Sequence, residues 1–475
     1  MKKLLIILSL AFCLSPIAYG QDVQRFAERG TIGTARYVGM GGAMTAIGGD
    51  PSSAMDNPAG LGLYRHSEIS ASIDVTIDNT RQTGSNDTYQ RTRFAAPTIS
   101  AIWAKGRKNR QRGLIFSNLM VSFNRLNSYN REVQLNGKNL GLASTICTKT
   151  NKLPEQELEG KPWDFIDIGW LSILGYETYL IDPVENSQWI PSVDLQTGKL
   201  IVSETGSTDQ YTMMWAGNIN NQWYIGASLN IPTITYTKHT SLFETDGTNS
   251  AELKSMFHTS GVGFTANIGI IYRPIEWIRI GTSIQTPTIM SLSVQTEGDM
   301  HTNIKGKLYE EFTPASGVVH LSCSSPLRTT FGIAGQWKHH GMLSLQYDYA
   351  HAIPEQESGI NPMNDVHTLR VGIESQVYTS LYLNAGYVYQ SSFTVADPVV
   401  ALDYNSIRTD LDYRFTQSSQ YISFGIGYRN RHVVANVAYQ YNWQALNQYA
   451  TEHQFPPIII DTHTHRIVAT LAWRI

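Results

Sequence analysis

The sequence is poor in charge and in cysteine, and it contains no long apolar run. Charged residues make up 16% of its 475 residues, against roughly 25% in an average soluble domain. Three cysteines are too few for a disulfide-based scaffold. A membrane-spanning helix needs about 20 consecutive apolar residues, and no such run occurs. These shortages exclude a helical membrane protein and a disulfide scaffold, and a formal net charge of −3 gives no indication of nucleic acid binding.

The first residues have the form of a secretory signal peptide. Two lysines precede an apolar stretch from Leu4 to Leu14, and Ala18-Tyr19-Gly20 matches a small–any–small cleavage site. We therefore predict that residues 1–20 are removed and that the mature chain begins at Gln21. An exported chain with 25 Tyr, 10 Trp and 38 Gly, and no spanning helix, is either a soluble β-protein or a transmembrane β-barrel.

Alternation of apolar and polar residues decides between these two classes. In a strand, successive side chains point to opposite faces. One face of the C-terminal segment consists of His465, Ile467, Ala469, Leu471, Trp473 and Ile475, and the other face is more polar. The segments LYLNAGYVYQ, YISFGIGYRN and VANVAYQYNW alternate in the same way. An apolar face toward lipid and a polar face toward a lumen are typical of outer-membrane barrels. We therefore predict an all-β fold, a transmembrane antiparallel β-barrel.

The segments of this kind number about 14, and short connections between them alternate with long ones, as in outer-membrane barrels. An even number of strands places both chain ends in the periplasm and the long connections outside the cell. The barrel is predicted to span residues 67–475, with its longest outer loop at residues 129–208. The predicted strands begin near Ser67, Thr92, Arg112, Asp209, Gln222, His258, Trp277, Ser325, Met342, Asp365, Leu381, Ser418, His432 and Thr462.

The stretch from Ala35 to Leu63 precedes these strands and is rich in glycine. Glycine permits close packing of backbone on backbone, and it disfavours a long regular helix. Asp50-Pro51 and Asn57-Pro58 each combine a capping side chain with proline at the first helical position. We therefore predict that residues 21–66 form a compact plug of short helical turns.

Asp50 and the motif Asn57-Pro58-Ala59-Gly60, placed between a signal peptide and a series of strands, resemble the FadL/TodX family of outer-membrane transporters. The resemblance implies that the plug is a hatch inside the barrel lumen and that these five residues hold or gate it. It also implies passive transport of hydrophobic compounds, such as long-chain fatty acids or aromatic molecules, with a sideways exit into outer-membrane lipid. Such a protein is a monomer in the outer membrane of a Gram-negative bacterium, inserted by the barrel assembly machinery, and it uses no cofactor.

A second interpretation belongs to a different class. FadL-like barrels of the PorV group serve as carriers or anchors in protein export, which requires outer loops that bind a protein and no continuous ligand path. The residues alone do not decide between these functions. They also leave the ligand open among fatty acid, aromatic hydrocarbon and haem.

The third predicted strand supplies the first candidates for a ligand path. Its alternation is poor: Ile115, Leu119, Val121 and Phe123 suit lipid, whereas the predicted inward face carries Leu114, Phe116, Asn118, Met120, Ser122 and Asn124. In the family, an inward kink of the third strand opens the barrel wall, and the resemblance makes Asn118 and Asn124 the candidate kink residues. Alternatively, the apolar inward residues pack against the hatch.

The long second loop, Arg131 to Thr208, supplies the other candidates. Apolar residues at helical spacing predict one or two short amphipathic helices within PWDFIDIGWLSILGYETYL. Trp163, Phe165 and Trp170 are the aromatic residues assigned to the ligand path. They form either an apolar landing surface for a hydrophobic ligand or a cap packed over the barrel mouth.

Signals for catalysis and metal binding are weak. His463 and His465 share one strand face, but a solvated pair is the simpler interpretation than a metal site. No spacing suggests a Ser-His-acid group or a phosphate-binding loop, so we predict that the protein is not an enzyme and holds no metal. Cys147 and Cys323 fall on the same side of the membrane, and a disulfide between them is left open.

Overall fold

The computed structural model describes residues 25–26, 28–85, 88–106, 112–164, 168–314, 319–337, 340–352, 364–394, 407–454 and 456–475. The predicted signal peptide and Phe165 lie outside these residues. In the described parts of the chain, no helix combines the length and the apolar character needed to cross a membrane.

Twenty strands form most of the molecule. They are β1 (Glu68–Gln82), β2 (Thr88–Gly106), β3 (Leu114–Ser128), β4 (Arg131–Lys138), β5 (Ile181–Val184), β6 (Gln188–Pro191), β7 (Thr197–Ile219), β8 (Trp223–Thr245), β9 (Ser250–Ile275), β10 (Ile278–Gln285), β11 (Ile289–Ile304), β12 (Lys307–Phe312), β13 (Val319–Ser324), β14 (Leu327–Trp337), β15 (Gly341–His351), β16 (Val366–Tyr378), β17 (Leu381–Gln390), β18 (Tyr413–Arg429), β19 (Val433–Tyr449) and β20 (Ile458–Arg474).

Short helices occur in two regions of the chain. The N-terminal region contains α1 (Ala35–Gly39), α2 (Pro51–Asp56) and a 3₁₀ helix (Pro58–Leu63). The second outer loop contains α3 (Leu142–Thr150), α4 (Glu155–Leu158) and α5 (Trp170–Glu177). The position of α5 confirms a short helix within the aromatic segment of that loop.

The strands close into a 14-stranded antiparallel barrel, which confirms the predicted fold class. Neighbouring strands pair in chain order, and β1 pairs with β20 along its full length, from Glu68–Arg474 to Gln82–Ile460. Three barrel strands are continued by a second segment, because β4 extends β3 along β7, β11 extends β10 along β9, and β13 extends β14 along β11. Closure leaves no free sheet edge at the seam.

Side-chain exposure follows the predicted alternation. On β20, Ile467, Leu471 and Trp473 are 52%, 62% and 57% exposed, whereas the intervening Val468 and Ala472 are buried. Apolar side chains on the outside of the barrel and buried ones inside are the arrangement that a bilayer requires of a barrel wall.

The outer ends of several strands differ from the prediction. The strand placed at Asp209 begins at Thr197, and the one placed at His258 begins at Ser250. The connection expected between residues 240 and 257 is therefore a short turn. Burial alternates to the end of β8, but its buried face there carries polar residues such as Thr240 and Glu244, which is why the apolar–polar pattern of the sequence did not mark the strand end. The expected loop 129–208 likewise contains β4 and the start of β7.

The helices of the second loop pack on these outer strand ends. Together they form an apolar core in which Ile146, Leu171 and Leu174 lie against Leu242 and Leu253. The aromatic loop is therefore a folded cap with a core of its own, built over one side of the barrel mouth.

Candidate functional site

The N-terminal segment, residues 28–66, lies across the barrel lumen. Helix α1 packs against β17 to β20, and the 3₁₀ helix packs against β3, β7, β8 and β9, which stand on a different part of the wall. Residues Val38, Met40, Ala43 and Ala59 are fully buried. Contacts with so many strands place the segment inside the ring of strands.

Asp50 organises the middle of this segment as the N-cap of α2. Its carboxylate accepts hydrogen bonds from the backbone N–H groups of Ser52 and Ser53, at 2.9 and 3.3 Å, and from the Thr34 hydroxyl. Pro51 then occupies the first helical turn, where no backbone donor is needed. Burial raises the pKa of the Asp50 carboxyl, and the Arg36 guanidinium and the Thr34 hydroxyl offset part of that rise.

Asn57 joins the segment to itself and to the barrel. Its side-chain oxygen accepts from the Ala59 N–H at 3.1 Å, which caps the 3₁₀ helix that begins at Pro58. Its side-chain amide donates to the carbonyl oxygens of Thr45, at 3.0 Å, and of Ile270 on β9, at 3.2 Å. All of this lies in a fully buried site. Gly60 closes the same turn, because its N–H donates to the Asn57 carbonyl oxygen at 2.9 Å, and its own carbonyl oxygen accepts from the Gly49 N–H at 3.1 Å.

Glycines on the inner face of the barrel wall allow this close contact, and sequence reasoning did not identify them as contact positions. A Cβ added to Gly269 would lie 2.0 Å from the Asn57 side-chain oxygen, and one added to Gly226 would lie 2.4 Å from the Pro58 carbonyl carbon. The wall must therefore lack side chains at these positions. Gly281, Gly372 and Gly386 contact the N-terminal segment in the same way. Glycine at inward positions of several strands was the sequence feature that could have indicated these contacts.

A buried ion-pair group also ties the segment to the wall. The Arg36 guanidinium donates to Glu374 on β16 at 2.8 and 3.0 Å, and Arg429 on β18 donates to the same carboxylate at 2.6 and 3.0 Å. Two arginines, one on the segment and one on the wall, therefore share a single carboxylate.

The third strand meets the segment through two of the predicted path residues. Met120 is fully buried in a cluster with Ala54, Leu61 and Tyr64. The Asn118 side chain donates to the carbonyl oxygens of Leu61 and Tyr64 at 2.8 and 3.0 Å. These contacts correspond to the packing alternative left open by the sequence.

A β-bulge corrects the predicted facing at the start of β3. The register with β7 shifts between Leu114 and Phe116, so that Ile115 has no partner of its own. Ile115 is buried instead of facing lipid. Leu114 lies on the outer face, because a side chain added to Gly217 would contact both Leu114 and Trp215 there. A bulge reverses the alternation on one side of it. Phe116 keeps its inward parity, and the Arg65 guanidinium stacks 4.5 Å from its ring.

The pairing between β2 and β3 stops part of the way up the wall. In the described residues, the ladder runs from Gly106–Phe116 to Thr98–Asn124 and ends there, while β3 and then β4 continue along β7. Beside the last pair, Ala96 and Pro97 form a bulge opposite Ile73 of β1. Proline has no N–H to donate, and a bulge bends the strand. Asn124 thus marks the end of the ladder, whereas Asn118 lies within it.

We call the unpaired stretch between residues 88–97 and residues 125–135 the wall opening. At its outer end the Gln82 side chain exchanges two hydrogen bonds, of 2.9 and 3.0 Å, with the backbone of Asn136 on β4. At about 3.3 Å per residue, the unpaired part of β2 is roughly 30 Å long. Phe94, on its rim, is 80% exposed. In the sequence, the feature that could have indicated this wall opening was a proline, Pro97, inside a strand pattern.

A polar cavity adjoins the wall opening from inside. It lies between residues 28–32 of the N-terminal segment, the β3–β4 junction and strands β18 to β20. Its charged lining consists of Arg29, Arg93, Arg131, Arg414 and Arg466 with Glu28 and Asp78. Several of these arginines pair with carboxylates, as in Arg93–Asp78 at 3.5 Å. Charged and polar groups therefore make up much of the lining, and most of its arginines are already engaged in ion pairs.

The predicted aromatic landing surface is largely covered. Trp170 is 5% exposed, donates to the Trp163 carbonyl oxygen at 3.0 Å and stacks edge-on against the Trp163 ring at 5.9 Å. Both side chains belong to the packed cap. Cys147 and Cys323 are buried, and no disulfide joins them.

The histidine pair on β20 has local partners. His463 and His465 hydrogen-bond through Nδ1 to the hydroxyls of Tyr441 and Tyr439, at 2.7 and 2.8 Å. Within the described ranges, no group of three or more His, Cys, Asp or Glu side chains is arranged to hold a metal ion.

Comparison of structures finds similar proteins, whereas comparison of sequences does not. No protein-family model matches the chain, and no curated protein matches its sequence. Among solved structures, a Pseudomonas aeruginosa FadL homologue is similar at a TM-score of 0.54 and 11% identity, over 94% of this chain and 98% of that one. The deltaS2S3 mutant of the monoaromatic hydrocarbon channel TodX is similar at 0.51 and 12% identity, over 93% and 99% of the two chains. The fold is therefore that of the FadL/TodX channels.

Proposed function

We propose that this protein transports hydrophobic and amphipathic molecules across the outer membrane of a Gram-negative bacterium. The wall opening is the observation that carries the proposal, because its inner side borders the polar cavity and the side chain of Phe94 on its rim faces outward. A ligand with an alkyl chain gains about 0.8 kcal/mol per methylene in apolar surroundings. A sideways path into lipid therefore supplies a downhill route, whereas a path straight through to aqueous periplasm does not.

The N-terminal segment is the hatch in this proposal. It obstructs the lumen through buried contacts around the wall, and Asn57, Asp50 and the ion pairs at Glu374 hold it there. Ligand that reaches the polar cavity is thereby directed sideways, and passive partition supplies the driving force without a cofactor.

The lining of the cavity favours one class of ligand over another. A neutral aromatic hydrocarbon gains nothing from the charged lining, whereas a long-chain acid can place its carboxylate beside Arg131 and Arg414, which share the single carboxylate of Glu204, and its chain toward the wall opening. We therefore infer that a fatty acid-like molecule is the more suitable ligand. The structural neighbour named a monoaromatic hydrocarbon channel makes an aromatic compound the comparison probe.

The test changes the wall opening at Pro97. Deleting Pro97 removes the extra residue of the bulge, so that Ala96 can face Ile73 and the ladder to β3 can continue. We expect uptake of a labelled long-chain fatty acid into outer-membrane vesicles to fall to background, with the barrel still folded. Pro232 interrupts the ladder between β8 and β9, away from the wall opening, and Pro232→Ala is the matched control.

Two results would contradict the proposal. One is undiminished uptake by a folded Pro97 deletion. The other is absence of fatty acid and aromatic uptake in the unmodified protein together with capture of a secreted protein at the outer loops. The second result would favour the protein-export function, for which the exposed Leu308 and Phe312 of β12 offer apolar surface outside the membrane.

A further inference from the structure

One side chain of β2 crosses the wall opening. Arg91 points inward, and its guanidinium donates to the carbonyl oxygen of Arg131 on β4 at 3.2 Å and to that of Glu204 on β7 at 3.4 Å. Arg131 lies on β4, which continues β3 beyond the point where β2 separates from it, and Glu204 lies on β7, the next strand of the wall. Arg91 thus supplies hydrogen bonds across a stretch in which the backbone ladder is missing.

The acceptors of Arg91 distinguish it from its neighbours. Arg93 and Arg125 bind the carboxylates of Asp78 and Asp209, at 3.5 and 2.8 Å. Arg91 binds neutral carbonyl oxygens at long distances. A carboxylate is a stronger acceptor for a guanidinium than a carbonyl is, so the contacts of Arg91 can be exchanged for a better partner, whereas the two ion pairs are already satisfied.

The N-terminal segment covers the opposite rim of the wall opening from inside. The Gly30 N–H donates to the Leu126 carbonyl oxygen at 3.3 Å, and the Asn127 side chain donates to the Glu28 carbonyl oxygen at 3.4 Å. Residues 28–30 therefore occupy part of the β3 edge that β2 leaves free. Arg131, which accepts from Arg91, and Glu28, Gly30 and Asn127 of the opposite rim all line the polar cavity, where a ligand headgroup would lie.

We propose that Arg91 is a latch on the wall opening and that an acidic headgroup in the cavity releases it. The inference rests on the proposed transport function and deepens it. An anionic headgroup draws the guanidinium away from the two carbonyl oxygens, the wall opening widens, and the alkyl chain leaves into lipid. A neutral ligand of the same length offers no charge to Arg91 and finds the opening closed.

The test compares two probes that differ in charge alone. A fluorescent long-chain fatty acid and the corresponding long-chain alcohol are presented to vesicles that contain the unmodified protein, Arg91→Ala, Arg91→Gln or Arg81→Ala. Arg81 is an exposed arginine near the outer end of β1 and serves as the matched control. Heat-dependent gel mobility verifies that each variant is folded.

We expect the unmodified protein and Arg81→Ala to take up the acid faster than the alcohol. A hydrogen bond from a charged donor is strong enough that losing it shifts a closed–open equilibrium by about tenfold, so Arg91→Ala should take up the alcohol about tenfold faster. The acid and alcohol rates should then be nearly equal, a change in ratio that a merely structural role would not produce. Arg91→Gln, which keeps a neutral donor, should give the same loss of discrimination if Arg91→Ala fails to fold.

Three other outcomes would refute the latch or the proposed function on which it rests. Unchanged rates and an unchanged ratio in a folded Arg91 variant would refute the latch and leave the transport proposal standing. Loss of all uptake in that variant would also refute the latch, because Arg91 would then be needed to form the path. If the unmodified protein takes up neither probe, the proposed function itself fails, and the latch fails with it.

Discussion

Replacing Asn57 by alanine should loosen the hatch while leaving the barrel closed. The substitution removes three buried hydrogen bonds, to Ala59 at 3.1 Å, Thr45 at 3.0 Å and Ile270 at 3.2 Å. Each is worth about 1 kcal/mol net, and any buried group left without a partner costs more. A loss of about 3 kcal/mol corresponds to roughly a 150-fold increase in the fraction of molecules with an open hatch.

The barrel itself should survive, because its ladders do not pass through Asn57. Backbone pairing around the whole ring is unaffected, and the lost free energy therefore appears as local opening rather than as global unfolding. Hydrogen–deuterium exchange of peptides covering residues 43–63, in nanodiscs, measures this opening directly. Exchange there should accelerate while exchange in the β18–β19–β20 ladder stays unchanged.

Two further variants sharpen the test. Asn364 also donates from its side chain to a backbone carbonyl, that of Thr394 at 2.7 Å, but in an outer loop, so Asn364→Ala should leave hatch exchange unaltered. Gly269→Ala perturbs the same contact from the barrel side, since its Cβ would lie 2.0 Å from the Asn57 oxygen, and should reproduce the effect of Asn57→Ala. Unmodified exchange and uptake in a folded Asn57→Ala protein would refute the reasoning.

Three other expectations follow from the same contacts. Glu374→Gln should destabilise the hatch by about 3–5 kcal/mol, because it leaves Arg36 and Arg429 buried without their shared counter-charge; a lower temperature of heat modification on gels measures it, and an unaltered temperature would contradict it. Burial alone would raise the pKa of Asp410, but Arg408 and Lys238 hold that pKa below its ordinary value. The contribution of Asp410 to stability is therefore present above about pH 4 and is lost as pH falls through the lowered pKa. Proteolysis near residues 407–412 should increase only in that acidic range, and Asp410→Asn should abolish the pH dependence. The folded protein should resist SDS unless boiled, since the β1–β20 ladder closes the barrel along its whole length. Proteases outside the cell should cut within 129–208; cleavage between Gly106 and Arg112 instead would invert the assigned topology.

The barrel could be predicted because its determinants are local. Alternation over a few residues places Ile467, Leu471 and Trp473 on one face, whatever the rest of the chain does. The caps at Asp50 and Asn57 are equally local, since each side chain binds backbone N–H groups two or three residues ahead. The strand count and the short helical turns of the N-terminal segment follow from these short-range rules.

The site was harder to predict because its contacts join residues far apart in the chain. Asn118 was predicted as a candidate kink residue from the resemblance, and its hydrogen bonds to Leu61 and Tyr64 could not be predicted from the sequence. The facing of Leu114 and Ile115 was wrong because a bulge, set by the register with β7, reversed the alternation. Trp163 and Trp170 have the composition of a ligand surface, and only the packing of the cap shows that Trp170 is covered.

Sequence by itself determined the class of fold, the facing of barrel residues away from bulges and the chemistry of the N-terminal turns, because these depend on periods and caps a few residues long. Only the tertiary structure decided where the wall separates. Pro97 was visible in the sequence, but its effect depends on a bulge against Ile73, on β4 following β7, and on Arg91 reaching the carbonyl groups of Arg131 and Glu204. Those partners are set by strand register, which is fixed by the closure of the whole ring and cannot be read from any one segment.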